Sequence, residues 1–256
     1  MKKYAEKSLK VLEHVNNEIG IDISKYRNTE IIGKIKNLVM IQKYSISHLY
    51  KPVLFSLLLY ALGFFIFSFE LLGAIVYGIL GFLLFVANGI TFGIIRILSN
   101  LKKDLKFIIN TSLDFTLNVC SDVIHLNSNI KNIESPIGLI FEGIVAAIVT
   151  PSLSSTFDKV PLLRGVLMYG SDKTLSIAVS QLKKQETKLG IKIFIHNRND
   201  KMIAKSEMVQ NFINSFKDKG DKVLDSGFSS VQIPLKIVFS ISIIITCLFL
   251  IGCSIF

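Results

Sequence analysis

Apolar positions along the chain fall into two patterns, near-continuous blocks and stripes at helical spacing. Residues 53–98 form an almost unbroken apolar block, and residues 235–256 form a second. A helix rises 1.5 Å per residue, so 53–98 as one helix would be roughly 69 Å long, about twice a bilayer core. That block therefore predicts a hairpin with crossings at 53–67 and about 72–95, turning near 68–73. Residues 237–256 predict one further crossing.

The stripes predict helices. Leu9, Leu12, Val15 and Ile19 recur at helical spacing over 3–19, and Gly20 and Asp22 end that stretch. A second helix is predicted over 29–50, capped by Thr29 and apolar along Ile31, Ile32, Ile35, Leu38 and Val39. Pro52 is expected to open the next helix. After Ser99 and Asn100, the positions Leu101, Leu105, Ile108, Ser112, Phe115, Val119, Val123, Leu126, Ile130 and Ile133 predict a long helix ending at Ser135 and Pro136. Its irregular spacing favours a bundle wall over a coiled coil.

Residues 136–151 hold a short apolar run between two prolines, too short to span. The run predicts a buried helix with Glu142 on its wet face, the alternative being a re-entrant segment. Over 152–231 the pattern predicts a small α/β or helical region. It has a strand at 165–169, a helix from Ser171 or Asp172 to Leu189 closed by Gly190, and a strand at 191–196. A helix at 202–217 and a linker marked by Gly220 and Gly227 follow. The fold class expected is a mainly α integral membrane protein. Its segments are N-terminal amphipathic helices (1–51), a two-helix transmembrane hairpin (52–98), a helical to α/β domain (99–231) and a C-terminal transmembrane helix (232–256).

Composition supports this division. Half of the residues are hydrophobic before any of the 16 glycines is counted, and the excess lies in the two blocks. The net charge is +10. Lys34, Lys36, Lys43 and Lys51 precede the first crossing, and Arg96, Lys102, Lys103 and Lys106 follow the second. Basic flanks of this kind place 1–51 and 99–231 in the cytoplasm and the C-terminus on the far side. The lysines are scattered with no aromatic-basic module between them, so nucleic acid is not an expected partner. Cys120, Cys247 and Cys253 form neither a disulfide framework nor a zinc spacing. An amphipathic stretch follows Met-Lys-Lys, so the first crossing is expected to act as its own insertion signal.

Candidate chemistry is sparse. Ala74 and Gly78, and Gly89 and Gly93, are four residues apart on the second crossing, where small residues let helix backbones approach in lipid. Glu70 in the hairpin and Glu142 are ionisable groups inside apolar runs. His196, Arg198 and Asp200 follow the predicted strand and are the catalytic candidates of the chain. Residues 170–174 lack the first glycine of a phosphate loop, and no metal or cofactor motif is present. In hydropathy alone, residues 53–98 resemble the bilobed hydrophobic domain of chlamydial inclusion membrane proteins and the membrane-shaping hairpin of reticulon-like proteins. Three functions follow from the pattern. The first is a membrane-anchored scaffold with a protein partner or self-association. The second is an oligomeric pore built on the glycine-rich crossing. The third is a membrane-bound enzyme using 165–220.

Overall fold

A computed structural model of the chain describes residues 2–20, 22–26, 32–33, 47–67, 69–125, 134–190 and 201–255. These residues are almost entirely helical, with no strand among them. They include four helices long and apolar enough to cross a membrane. In order they are α1 (Lys2–Ile19), a 3-10 turn (Ile23–Tyr26), α2 (Ser47–Ile66) and α3 (Leu71–Val76). A π turn (Tyr77–Gly81) joins α3 to α4 (Phe82–His125). Next come α5 (Pro136–Ile144), a second π turn (Val145–Val149) and α6 (Thr150–Phe157). The chain continues with α7 (Pro161–Leu189), α8 (Lys201–Asp218) and α9 (Gly220–Ile255). It divides into two compact units, Met1–Met40 with Leu101–Phe228, and Ile41–Asn100 with Ser229–Phe256.

The first unit is a helical bundle around α5, the second π turn and α6. Helix α1 packs on all three, and α7 packs on α5 and α6. Val15 and Ile19 of α1 and Ile23 of the 3-10 turn are fully buried, whereas Leu9 faces outward. Gly20 ends α1 at φ +71°, a left-handed conformation suited to glycine. Asn16 then accepts from the Ile23 N–H at 3.0 Å, and Asp22 accepts from the Ser24 N–H at 3.0 Å. Bonds from Ser24 hold the Asp22 carboxyl below its usual range. On α4, Leu101, Leu105, Ile108, Ser112 and Val119 are buried. That face is tied to α9 by Lys102–Asp225 and Lys106–Asp221, and to α8 by Lys217–Asp114.

Several sequence expectations are corrected here. Residues 165–169 are helix, because Leu163, Leu167 and Met168 are buried at helical spacing and Pro161 starts the helix. A five-residue apolar run is too short to reveal its period. Ser99 and Asn100 lie within the continuous helix α4, at the boundary between the two units. Ser99 donates its hydroxyl to Ile95 O at 3.1 Å, so its polar group is satisfied inside the helix. Gly220 and Gly227 belong to α9 and not to a linker. A Cβ on Gly227 would lie 3.1 Å from Thr174 Cα, so this glycine serves close packing. Pro52 lies inside α2, which begins at Ser47. Pro151 does not stop its helix, which runs on to Phe157 and makes Pro136–Phe157 a span-length segment of 22 residues. Ser152 and Thr156 donate their hydroxyls to Ile148 O and Ser152 O, which keeps their polar groups within that helix. Gly190 does close its helix, at φ +62°. The predicted strand at 191–196, most of the predicted helix at 29–50, and the end of the long helix near 126–133 lie outside the described residues.

In the second unit, α2 packs against the α3–α4 segment, with α2 ending at Ile66 and α3 beginning at Leu71. The first π turn is built into this packing. A π turn leaves carbonyls without their ordinary helical donors. Tyr60 donates to Gly78 O at 2.8 Å, and Tyr77 donates back to Tyr60 O at 2.7 Å. Tyr77 is fully buried among Phe64, Phe69 and Tyr60. A Cβ on Gly63 would lie 2.0 Å from the Tyr77 hydroxyl, so only glycine leaves room for this docking.

Candidate functional site

A helix N-terminus leaves backbone donors that need acceptors. At the start of α5, Ser135 occupies the cap position without a side-chain cap bond, and Pro136 has no N–H. Leu139 N donates to Ser135 O at 3.0 Å. The two donors between them are met from another helix. Ile137 N donates to Glu186 Oε1 at 2.9 Å, and Gly138 N donates to Glu186 Oε2 at 2.8 Å. Glu186 is fully buried. Burial pushes its carboxyl up to about 7, against the two backbone N–H groups and Lys183, which pull it down.

One turn before Glu186 on α7, Lys183 pairs with Glu142 of α5. The two α7 side chains therefore hold α5 at its N-terminus and near its middle. Close approach makes this possible. A Cβ on Gly138 would lie 2.4 Å from Lys183 Cγ, and one on Gly143 would lie 2.3 Å from Ile23 Cδ1. A cavity of about 90 Å³ lies beside Glu142, with Ser8, Thr150, Asp172 and Ser176 as its other polar lining. Cys120 is buried with its thiol pushed well up, first by burial and then by Glu186, which makes it a poor nucleophile. Among the described residues no three His, Cys, Asp or Glu side chains gather as metal ligands. This constellation clasps a helix; it has no activated nucleophile.

A second feature lies among the apolar helices of the second unit. A groove of about 380 Å³ runs between α2, α4 and α9. Phe55, Phe92, Phe239 and Leu250 line it, with Ser56, Asn88 and Thr246 as its polar members. Thr246 donates its hydroxyl to Ser242 O at 2.8 Å, so it can only accept from Asn88 Nδ2, at 2.9 Å. Ser56 donates to Phe85 O.

The sequence candidates divide accordingly. Glu142 is half-buried and ion-paired in the first unit. Glu70 is exposed at the cap of α3, in the hairpin turn. Gly89 and Gly93 face α2: their added Cβ atoms would lie 2.7 Å from Val53 Cα and 3.1 Å from Leu49 Cδ1. A Cβ on Gly78 would lie 3.9 Å from Phe64 Cζ, and Ala74 is half-buried. His196, Arg198 and Asp200 lie outside the described residues. Sequence reasoning missed Glu186. Sequence offered no signal for it, because Ser135 before Pro136 reads as an ordinary N-cap, and only the structure shows that the Ser135 side chain makes no cap bond. Comparison with protein-family models, curated proteins and solved structures finds no match.

Proposed function

We propose that the chain is an integral membrane protein crossing the bilayer three times, and that its helical unit is a docking surface for a protein partner on the cytoplasmic side. One observation carries the reading. The most apolar windows of α2, of α3–α4 and of α9 are only 17%, 22% and 6% buried by protein, whereas that of Pro136–Phe157 is 78% buried. Apolar side chains left uncovered need lipid, and those already covered do not. The first three are therefore the crossings, and Pro136–Phe157 is the core of the helical unit. Lysine-rich flanks set the orientation.

A pore assembled through Gly89 and Gly93 has less support, because α2 already fills that face. Docking has the better support, because the helical unit exposes the large apolar side chains of Phe107, Tyr169 and Met208. The test is photo-crosslinking from probes at Tyr169 and Met208 of the full chain in its native membrane. The expected result is one discrete protein adduct from either probe, lost with Tyr169→Asp or Met208→Asp. No adduct, with the protein monomeric and membrane-embedded, rejects the reading.

A further inference from the structure

The three helices proposed to cross the membrane each carry one cation where the apolar stretch ends. These are Lys51 on α2, Arg96 on α4 and Lys236 on α9, and all three are exposed. None has a carboxylate partner among the described residues. Interhelical contacts fix the register. A Cβ on Gly89 would lie 3.1 Å from Pro52 O, and one on Gly93 would lie 3.1 Å from Leu49 Cδ1, so α2 and α4 run antiparallel. Phe92 stacks on Phe239 at 5.7 Å between ring centres, and Gln232 Nε2 reaches Ser99 Oγ at 3.5 Å, so α4 and α9 are antiparallel too. Lys51, Arg96 and Lys236 thus stand toward the same end of the three helices: Arg96 and Lys236 are level to within about 2 Å, and Lys51 lies about 7–9 Å nearer the helix middles, level with Phe92.

Each cation also lies on the stripe of a groove-lining phenylalanine. Lys51 is four residues from Phe55, Arg96 is four from Phe92, and Lys236 is three from Phe239. Residues three or four apart on a helix share a face. The apolar groove therefore has three positive charges at one end, contributed by three helices: Lys51 at its rim, and Arg96 and Lys236 about a turn beyond it. A basic flank serving orientation alone does not require that each charge continue the wall of one groove.

We propose that this groove is a binding site for an anionic phospholipid. An acyl chain lies along Phe55, Phe92 and Phe239, and the phosphate is held by Lys51, Arg96 and Lys236. Arginine supplies a forked donor for the phosphate oxygens, and the lysines supply point charges. The site rests on the reading of α2, α4 and α9 as membrane-spanning.

The experiment uses the full chain in vesicles of phosphatidylcholine containing a minor fraction of phosphatidylglycerol. Spin-labelled forms of each lipid report how much is immobilised on the protein. Phosphatidylglycerol should be favoured over phosphatidylcholine by roughly tenfold or more, as three interfacial basic side chains can supply. The triple variant Lys51→Gln, Arg96→Gln, Lys236→Gln should abolish the preference. Cys247→Trp, which fills the groove from an exposed position on its wall, should lower immobilisation of phosphatidylglycerol with all three cations intact. Equal immobilisation of the two lipids by the unaltered protein overturns the proposal, as does a preference that survives the triple variant. Full preference retained by Cys247→Trp also overturns it, since the cations would then be attracting lipid without a groove. Resistance of each variant to alkaline extraction from the vesicles tests the spanning reading separately: extracted protein refutes that reading, and retained protein leaves the lipid result to decide the site.

Discussion

At the scale of single residues, Glu186 sets the pH response of the helical unit. Its carboxyl has a folded-state value of about 7, raised by burial from an ordinary value near 4.5. A raised acid binds its proton more tightly in the folded state than in the unfolded one. Stability from this group is therefore full below about pH 4.5 and is lost as pH rises through about 7. The loss is on the order of 3 kcal/mol by linkage. Amide exchange of 136–157 in the detergent-solubilised chain should accordingly quicken between pH 5 and 8 beyond the intrinsic rate change. Glu186→Gln should flatten that excess dependence, because glutamine cannot ionise. It should also speed exchange at Ile137 or Gly138, because its amide has one acceptor for two donors. An unchanged pH profile in the variant rejects the assignment. Nothing in Gln185-Glu186-Thr187 marks this glutamate in sequence, since its partners are backbone N–H groups 48 and 49 residues away. Glu142 was legible as an ionisable group in an apolar run, but its partner Lys183 was not.

Among the elements, those whose pattern is long and repeated were legible, and those decided by one contact were not. The stripe from Leu101 through Val119 and the span-length blocks needed only periodicity and length. The first π turn depends on Tyr60, Tyr77 and the absence of a side chain at Gly63, which no period encodes. The small residues of the second crossing were visible, but sequence could not say which helix meets them. Gly89 abuts the α2 backbone, so Gly89→Leu should disrupt the hairpin within one chain. Overpacking of this kind costs about 1–3 kcal/mol. The expected readout is a lower thermal midpoint in mild detergent at unchanged oligomeric state by light scattering. A variant that keeps its midpoint but loses a higher oligomer would return the glycines to an intermolecular role. The ion pairs on α4 should matter less. The aspartate side chains of the Lys102–Asp225 and Lys106–Asp221 pairs are more than half exposed, and such pairs contribute about 0–1 kcal/mol. Lys106→Ala should therefore leave the thermal midpoint nearly unchanged.

For the whole molecule, the proposed number of crossings rests on which apolar helices are already covered. Length and composition alone give four candidates, and burial separates Pro136–Phe157 from the others. Connectivity supports the same division. The chain must run from the end of α4 through α5, α6, α7 and α8 to the start of α9. If Pro136–Phe157 crossed, α7 would begin on the opposite side of the bilayer, and the chain would need a further crossing before α9 or an inverted α9. Helix α7 carries Arg164, Asp172, Lys173, Lys183 and Glu186 along its length, and charged groups at membrane depth cost several kcal/mol each. With three crossings, positions on either side of Pro136–Phe157 share one compartment. In sealed, uniformly oriented vesicles, Ser135→Cys and Lys159→Cys should therefore show the same accessibility to a membrane-impermeant thiol reagent. A cysteine placed after Phe256 should show the opposite accessibility. Ser135→Cys and Lys159→Cys reacting from opposite sides would make Pro136–Phe157 a fourth crossing. The clasp of Glu186 on Ile137 and Gly138 would then have to open, and the pH dependence predicted for that clasp should disappear once the protein is in the bilayer.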